Sequence, residues 1–427
     1  ASESEERVAA VRRTLLYGSL VLSSIGAFAF FALRGVFADH ILHDSSLAAW
    51  VGWLALAVAL MVGADSLQAQ LGGLRRVGDL ARVQVYAAIL STICGTLGLL
   101  LLGLEGVVVF VVVLPLSTVL FSAWFLWRLG PMTSPAPSPS QFLHNWSAMV
   151  RLGVPLMASG VALTLGQMAV RSFIQRDFGP NGLGQFQAAW AIAITYVGFV
   201  LSAMTTDYYP RLSAVITDRA AAVRLVNEQT EVALFLAGPP LVFLSGVAPW
   251  VVSLLYSGAF DDAAAILRWQ ILGDVLKVTS WPLGYVLLAD AASGAFMCAE
   301  VFAIGAFVAT TGLCLSLVGL DATGIAFLLM YVVYLPTVFV LARRRIGMRW
   351  SRSVLVIFGA TLVATVVTLA ISWWSEYASA GFGTIAALSL AGAGLLQIMK
   401  KSEIGGPARG LLNSAAVRLK KALSMTR

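Results

Sequence analysis

Gln270, Asp274, Lys277, Trp281 and Tyr285 follow one another at steps of four, three, four and four within one apolar stretch, Ala263–Leu288. That spacing puts an amide, a carboxylate, an ammonium and two aromatic rings on one face of a helix. A charged side chain at mid-bilayer costs about 2.5–3.5 kcal/mol on insertion scales, so such a face turns toward protein or a hydrated interior. The chemistry it offers is recognition: an ammonium for an anion, a carboxylate to orient it or carry a proton, ring faces for a flat partner. Pro282 interrupts the same helix and leaves the carbonyl of Val278 without its usual donor. The competing reading is an Asp–Lys pair that only neutralises itself and holds helices together.

A second polar stripe, Gly160, Thr164, Gln167, Arg171 and Gln175, runs along the apolar stretch Val154–Phe173, and Gln187 and Trp190 open the next one. Arg171 serves either as an anchor snorkelling to the membrane edge or as a cavity cation. The expected cavity set is thus Lys277, Asp274, Arg171, Gln270, Trp281, Tyr285, Gln167, Gln187 and Trp190. With Arg171 and Lys277 together the cavity is expected to be net cationic, which suits an anionic amphiphile. Arg268 lies about 200° round the helix from Gln270, off this stripe.

These residues need membrane-spanning elements to hold them. The chain has 427 residues, 59% of them hydrophobic and 11% charged, with a mean hydropathy of +0.87. A soluble domain carries roughly a quarter charged residues, so the composition is that of a protein dissolved in lipid. Twelve apolar runs are long enough to cross about 30 Å of hydrocarbon. They are Leu15–Phe37, Leu47–Leu67, Val85–Leu102, Val107–Trp127, Val154–Phe173, Phe186–Met204, Val232–Leu255, Ala263–Leu288, Ala295–Leu317, Gly324–Leu341, Val354–Trp374 and Phe382–Met399. With the amino end in the cytoplasm, the inward loops receive every basic residue of the 28 except Arg34, Arg171, Arg176, Arg268 and Lys277. This asymmetry predicts a multi-pass membrane protein with both ends of the chain cytoplasmic. The net charge of +7 flanks helices and forms no aromatic-interleaved groove, which excludes nucleic acid.

The fold class expected is all-α and polytopic, with two pseudo-symmetric helical lobes around a central cavity. Residues 1–130 read as an amino-terminal lobe of four spans and 131–148 as a cytoplasmic Pro/Ser-rich linker. Residues 149–345 read as a six-helix carboxy-terminal lobe, 346–401 as an extra hairpin, and 402–427 as a basic amphipathic tail for anionic lipid. Arg7-Val-Ala-Ala-Val-Arg12 echoes Arg219-Ala-Ala-Ala-Val-Arg224, and Trp50 and Trp269 fall at nearly the same offset from each. If that repeat is real, two helices precede Arg7 in a fourteen-span protein.

Signatures of bond-making are missing from the sequence. There is no GxxxxGK[ST], GxSxG or HExxH, and Cys94, Cys298 and Cys314 sit singly in apolar segments. His40 and His43 beside Asp39 and Asp44 read as a solvated loop rather than a metal site, and no catalytic, cofactor or metal residue is expected. An ion or proton gradient remains open as the source of drive.

Further motifs carry a family resemblance. Leu267-Arg-Trp-Gln-Ile-Leu-Gly-Asp-Val-Leu-Lys277, then Gly284-Tyr285 and Ala299-Glu300-Val301, resemble the O-antigen translocases. These are polysaccharide-repeat flippases of the multidrug/oligosaccharidyl-lipid/polysaccharide exporter superfamily. Gly184-Gln-Phe-Gln187, Tyr208-Tyr-Pro-Arg-Leu-Ser213 and Tyr331-Val-Val-Tyr334 also match, and the likeness runs from about Arg7 to Arg345. It departs from the family in having four spans rather than six before the linker and in carrying the hairpin Val354–Met399. The resemblance implies transfer of an undecaprenyl-pyrophosphate-linked oligosaccharide between leaflets by alternating access. It implies the lipid-linked oligosaccharide and membrane lipids as partners, with a polysaccharide polymerase and chain-length regulator nearby in lipopolysaccharide assembly. Lys277 and Arg171 would then meet pyrophosphate or acidic sugars, Asp274 would orient Lys277 or carry a coupling proton, and Trp281, Tyr285 and Trp190 would stack on sugar rings. A multidrug antiporter calls for a carboxylate-rich cavity, a polymerase for an extended outer domain, and a lipid II flippase matches these motif blocks less well.

Overall fold

In the computed structural model, the described residues are 2–36, 48–74, 76–103, 106–129, 138–256 and 258–403. The His40/His43 loop, the Pro/Ser-rich stretch 130–137 and the basic tail from 404 onward lie outside them. Among the described residues all extended regular structure is helical. The elements are α1 (Ser2–Ala32), α2 (Ala48–Gly73), α3 (Val77–Leu102), α4 (Gly106–Trp127), α5 (Pro139–Val215), α6 (Arg219–Leu255), α7 (Asp262–Ala289), α8 (Ser293–Val318), α9 (Asp321–Ile346), α10 (Arg352–Ser372) and α11 (Glu376–Glu403).

Among the described residues, eleven helices, against twelve expected spans, are long and apolar enough to cross a membrane. The difference lies in α5, which runs for 77 residues and contains two of the expected spans. Gly179 breaks it, with φ 63° and ψ −166°, a conformation essentially closed to residues with a Cβ. Pro180 follows directly, its fixed φ suited to the first position of the next helical run. The connection between the two runs is therefore far tighter than the dozen residues of loop the hydropathy pattern suggested.

The chain divides into two compact units, Ala1–Gly153 and Val154–Arg427. In the first, α1 packs on α2, and α4 packs on both α2 and α3. Arg12 Nε donates to Gln70 Oε1 at 3.2 Å and Ser19 Oγ to Ser66 Oγ at 2.7 Å, so α1 and α2 are tied by polar pairs. Small polar bonds of this kind hold helices together where lipid gives them no hydrophobic reason to associate. Leu71, Val83, Phe125 and Leu126 form the apolar core of this unit.

In the second unit α7 is the axis of the packing. It is the least apolar of the candidate spans and the most buried, 78% of its central window being enclosed. Those two facts belong together, since a polar span is excluded from lipid by its own side chains. It packs against α6, α9, α8 and α10. Tyr208, from the end of α5, donates to the carbonyl of Pro282 at 3.0 Å, so the proline-bearing turn of α7 is braced by a buried hydroxyl. Gln185 Nε2 donates to Ala259 O at 2.6 Å, and its Oε1 accepts from Ala263 N at 3.0 Å, which satisfies an open donor at the start of α7.

The hairpin α10–α11 is fastened to α6 at both ends. At one end Asn227 donates to Arg349 O at 3.0 Å and accepts from Ser351 N at 2.7 Å, while Ser351 Oγ caps α10 through Val354 N. At the other, buried Arg268 of α7 donates from Nε to Ser245 O of α6 and binds both carboxylate oxygens of Glu376 in the first turn of α11. Between the clamps, α6 and α11 approach glycine on glycine. A Cβ on Gly246 would lie 2.8 Å from Ser379 O and 3.2 Å from Gly383 Cα. Because both obstacles are backbone, Gly246→Ala should destabilise the protein by about 1–3 kcal/mol, the usual cost of overpacking. Gly392→Ala, whose Cβ would meet nothing within 4 Å, should not. Thermal unfolding of the two variants in one detergent checks this, and equal midpoints would refute the close approach.

Candidate functional site

Within the second unit the polar face of α7 opens onto a cavity of about 120 Å³. Its lining is Gln270, Asp274 and Lys277 from α7, Leu163, Gln167, Trp190, Ala193 and Ile194 from α5, and Phe327, Met330 and Tyr331 from α9. A space of that size has room for several waters and enough polar partners to hold them.

The polar atoms facing it are short of partners. Asp274 is fully buried, and neither carboxylate oxygen accepts a hydrogen bond. Its closest cation is Lys277, whose Nζ stands 3.8 Å from Oδ1, an ion pair too long to be a hydrogen bond. Gln270 is also fully buried, with both amide atoms unpartnered. The Lys277 side chain is 20% exposed, so the ammonium reaches open space that Asp274 does not. Nζ also lies 5.9 Å from the Phe327 ring and 6.0 Å from the Tyr331 ring, at the outer limit of cation–π attraction. Buried polar atoms are normally satisfied, and a cluster left open around a cavity is arranged for something that enters.

A second carboxylate belongs to this cluster. Glu300 of α8 lies within electrostatic reach of Lys277 and of Tyr334 of α9. Tyr331, one turn before Tyr334, lies in the field of both Glu300 and Asp274. Glu300 stands in the sequence only as part of the motif Ala299-Glu300-Val301, and its own helix offers no polar stripe to flag it. The charge balance differs from expectation because Arg171 stands outside the lining. The lining carries one ammonium and one carboxylate, so the cavity is not net cationic.

Of the residues expected in the cavity, Gln270, Asp274, Lys277, Gln167 and Trp190 line it. Arg171, Gln187, Trp281 and Tyr285 do not. Arg171 bonds weakly to Gln167 at 3.5 Å, one turn beyond the lining, and its Nε has no partner. Trp281 and Tyr285 turn into an aromatic group with Tyr208 and Tyr209, the Trp281 and Tyr285 rings being 4.6 Å apart. The Tyr285 hydroxyl bonds Thr205 Oγ1 at 3.3 Å. Trp190 is held edge-on by Phe327 at 5.5 Å, with Phe186 also at 5.5 Å and Phe307 stacked at 6.1 Å. Arg268 is turned away from the cavity, as its position round α7 implied, and serves the α10–α11 clamp.

Fold and cavity together define a multi-pass helical membrane protein with a polar chamber inside its most buried span. The chain belongs to a family described as polysaccharide biosynthesis protein, whose profile matches residues 3–265. Two curated relatives, each called lipid III flippase, come from Escherichia coli (strain K12) and Shigella flexneri. Each is 23% identical over 251 residues, which is 57% of this chain and 59% of the relative, so the match spans less than two thirds of their length. Among solved structures, a MATE in complex with MaL6 aligns with TM-score 0.69 and 15% identity over 80% of this chain and 83% of that one. A MOP superfamily transporter from Pyrococcus furiosus aligns with TM-score 0.68 and 16% identity over the same shares. At these identities the structural likeness speaks for the fold alone.

Proposed function

We propose that this chain is a flippase. It would carry undecaprenyl-pyrophosphate-linked oligosaccharide repeat units, O-antigen or a similar surface polysaccharide, across the bacterial inner membrane by alternating access. Membership of a polysaccharide-biosynthesis family and relatives called lipid III flippase support the substrate class. The observation that carries the reading is the cavity, where the partly exposed end of Lys277 and the unpartnered Gln270 amide await an anionic, hydroxyl-rich group. The physics requires such a chamber: a sugar headgroup cannot cross hydrocarbon unaided, whereas its lipid tail can stay in the bilayer while the head passes. Lys277 would meet pyrophosphate or an acidic sugar, Gln270 and Gln167 sugar hydroxyls, and Trp190 and Tyr331 ring faces. Cytoplasmic termini, a Pro/Ser-rich linker between two lobes, and docking of a polymerase and chain-length regulator belong to the same proposal.

The test is direct. A deletion strain should accumulate lipid-linked repeat units on the inner leaflet, and the chain reconstituted in vesicles should move them to the other side. Normal surface polysaccharide in the deletion strain would remove the proposal. The carboxylates beside Lys277 are what a cation antiporter would use, so resistance to cationic dyes on overexpression would favour that second reading instead.

A further inference from the structure

Where α9 ends and α10 begins, the run Arg343–Arg352 carries five arginines and no carboxylate. Arg345 is taken by Asp290, Nη1 donating to Oδ2 at 2.6 Å. Arg343, Arg344, Arg349 and Arg352 are exposed, and no described residue bonds or ion-pairs with their guanidinium groups. The nearest carboxylate fixed on α6, that of Glu231, accepts from Ser351 Oγ at 3.3 Å. Like charges crowded on one turn repel one another, so a bound anion stabilises the turn. The backbone that presents them is held on several sides. Gly347, in the left-handed region at φ 72°, donates to Arg343 O at 3.0 Å, and Met348 is fully buried. Asn227 grips both Arg349 O and Ser351 N, and Trp350 stacks on Phe339 with ring centroids 5.7 Å apart. Charge that only sets topology needs no such fixing, whereas groups already held in place lose less freedom when a ligand binds.

The occupant has to be apolar as well as anionic. Val340 lies one turn deeper than Arg344 on the same face of α9, and Leu355 and Val356 one turn deeper than Arg352 on α10; all three are exposed. From their shared turn the two helices pack on α7 and α6 rather than on each other. We infer that this turn docks an anionic phospholipid from the leaflet at that end of the bundle. Its phosphate meets the four arginines, and its acyl chains run along Val340, Leu355 and Val356. A free phosphate or an acidic peptide would use the arginines and leave the apolar stripes idle. The site is separate from the chamber: Tyr331, the last α9 residue of the chamber lining, is about 18 Å of helical rise from Arg343. It therefore stands whatever the chamber carries.

The test is native mass spectrometry of the purified full chain in detergent. It is titrated with palmitoyl-oleoyl phosphatidylglycerol or with the zwitterionic phosphatidylcholine of the same acyl chains. The expected result is saturable binding of phosphatidylglycerol, tighter than phosphatidylcholine by about tenfold or more. Arg343→Gln/Arg344→Gln and Arg349→Gln/Arg352→Gln should each weaken it by about fivefold per arginine removed. None of these side chains has a described partner, so thermal unfolding midpoints should hold; if a double variant does not fold, Arg344→Gln alone makes the comparison. Arg76→Gln/Arg82→Gln removes the same charge from the other compact unit and should bind as wild type. Equal affinity for the two lipids, or wild-type affinity in the arginine variants, overturns the inference. So does an equal loss in the Arg76/Arg82 control, which would mean that net charge alone attracts the lipid. Displacement by equimolar inorganic pyrophosphate would make this a soluble-anion site, and preferential displacement by undecaprenyl pyrophosphate a docking point for a prenyl-linked substrate; either outcome removes the phospholipid as occupant.

Discussion

Lys277→Gln is expected to slow translocation of lipid-linked oligosaccharide into reconstituted vesicles by about 10- to 100-fold, with the amount of protein in the membrane unchanged. A hydrogen bond between a charged donor and a phosphate oxygen contributes about 1.5–3 kcal/mol, and an exchange to a neutral amide forfeits most of it. The fully buried Asp274 would then lack its cation. Asp274→Asn is expected to fail in the same assay, because a headgroup anchored to a permanently released ammonium has nothing to displace it. Wild-type rates in both variants would remove the cavity from the mechanism.

The other large effect concerns stability. Glu376→Ala leaves the Arg268 guanidinium, itself 4% exposed, with only the Ser245 carbonyl as partner. Stripping one partner from a buried pair costs about 3–5 kcal/mol, and the low end applies here because the Glu376 side chain is 44% exposed and water replaces part of it. Arg268→Met is the milder change. It fills the space with an apolar chain and releases Glu376 to solvent, so its loss should be clearly smaller. Unfolding in detergent ranks the two, and an Arg268→Met variant as unstable as Glu376→Ala would contradict the clamp.

What could be read from the residues was whatever repeats along one helix. Apolar runs located the spans, and the steps from Gln270 to Lys277 located the cavity face of α7. The same stripe misled beyond Lys277, because the chamber is only two turns tall and Tyr208 closes its continuation against Trp281 and Tyr285. Glu300 was hidden for a different reason: its position beside Lys277 depends on how α8 packs on α7, a relation between helices that neither one's periodicity contains. The bond from Arg268 to Glu376 joins residues 108 apart and is equally out of reach. Gly179 shows the reverse case. A glycine before a proline marks a break in plain view, yet the polar residues around it pass for a loop, whereas the backbone is helical on either side.

Arg268 and Lys277 lie on one helix, separated by about 13 Å of rise. Arg268 is pinned to α6 and α11 on one flank of α7, while Lys277 faces the chamber on another. A rod gripped at one azimuth cannot spin at the next turn, so α7 has no freedom to swivel its charges between the two faces of the bilayer. Any change in what Lys277 confronts must come from α5 and α9, which supply the rest of the lining, moving past a stationary post.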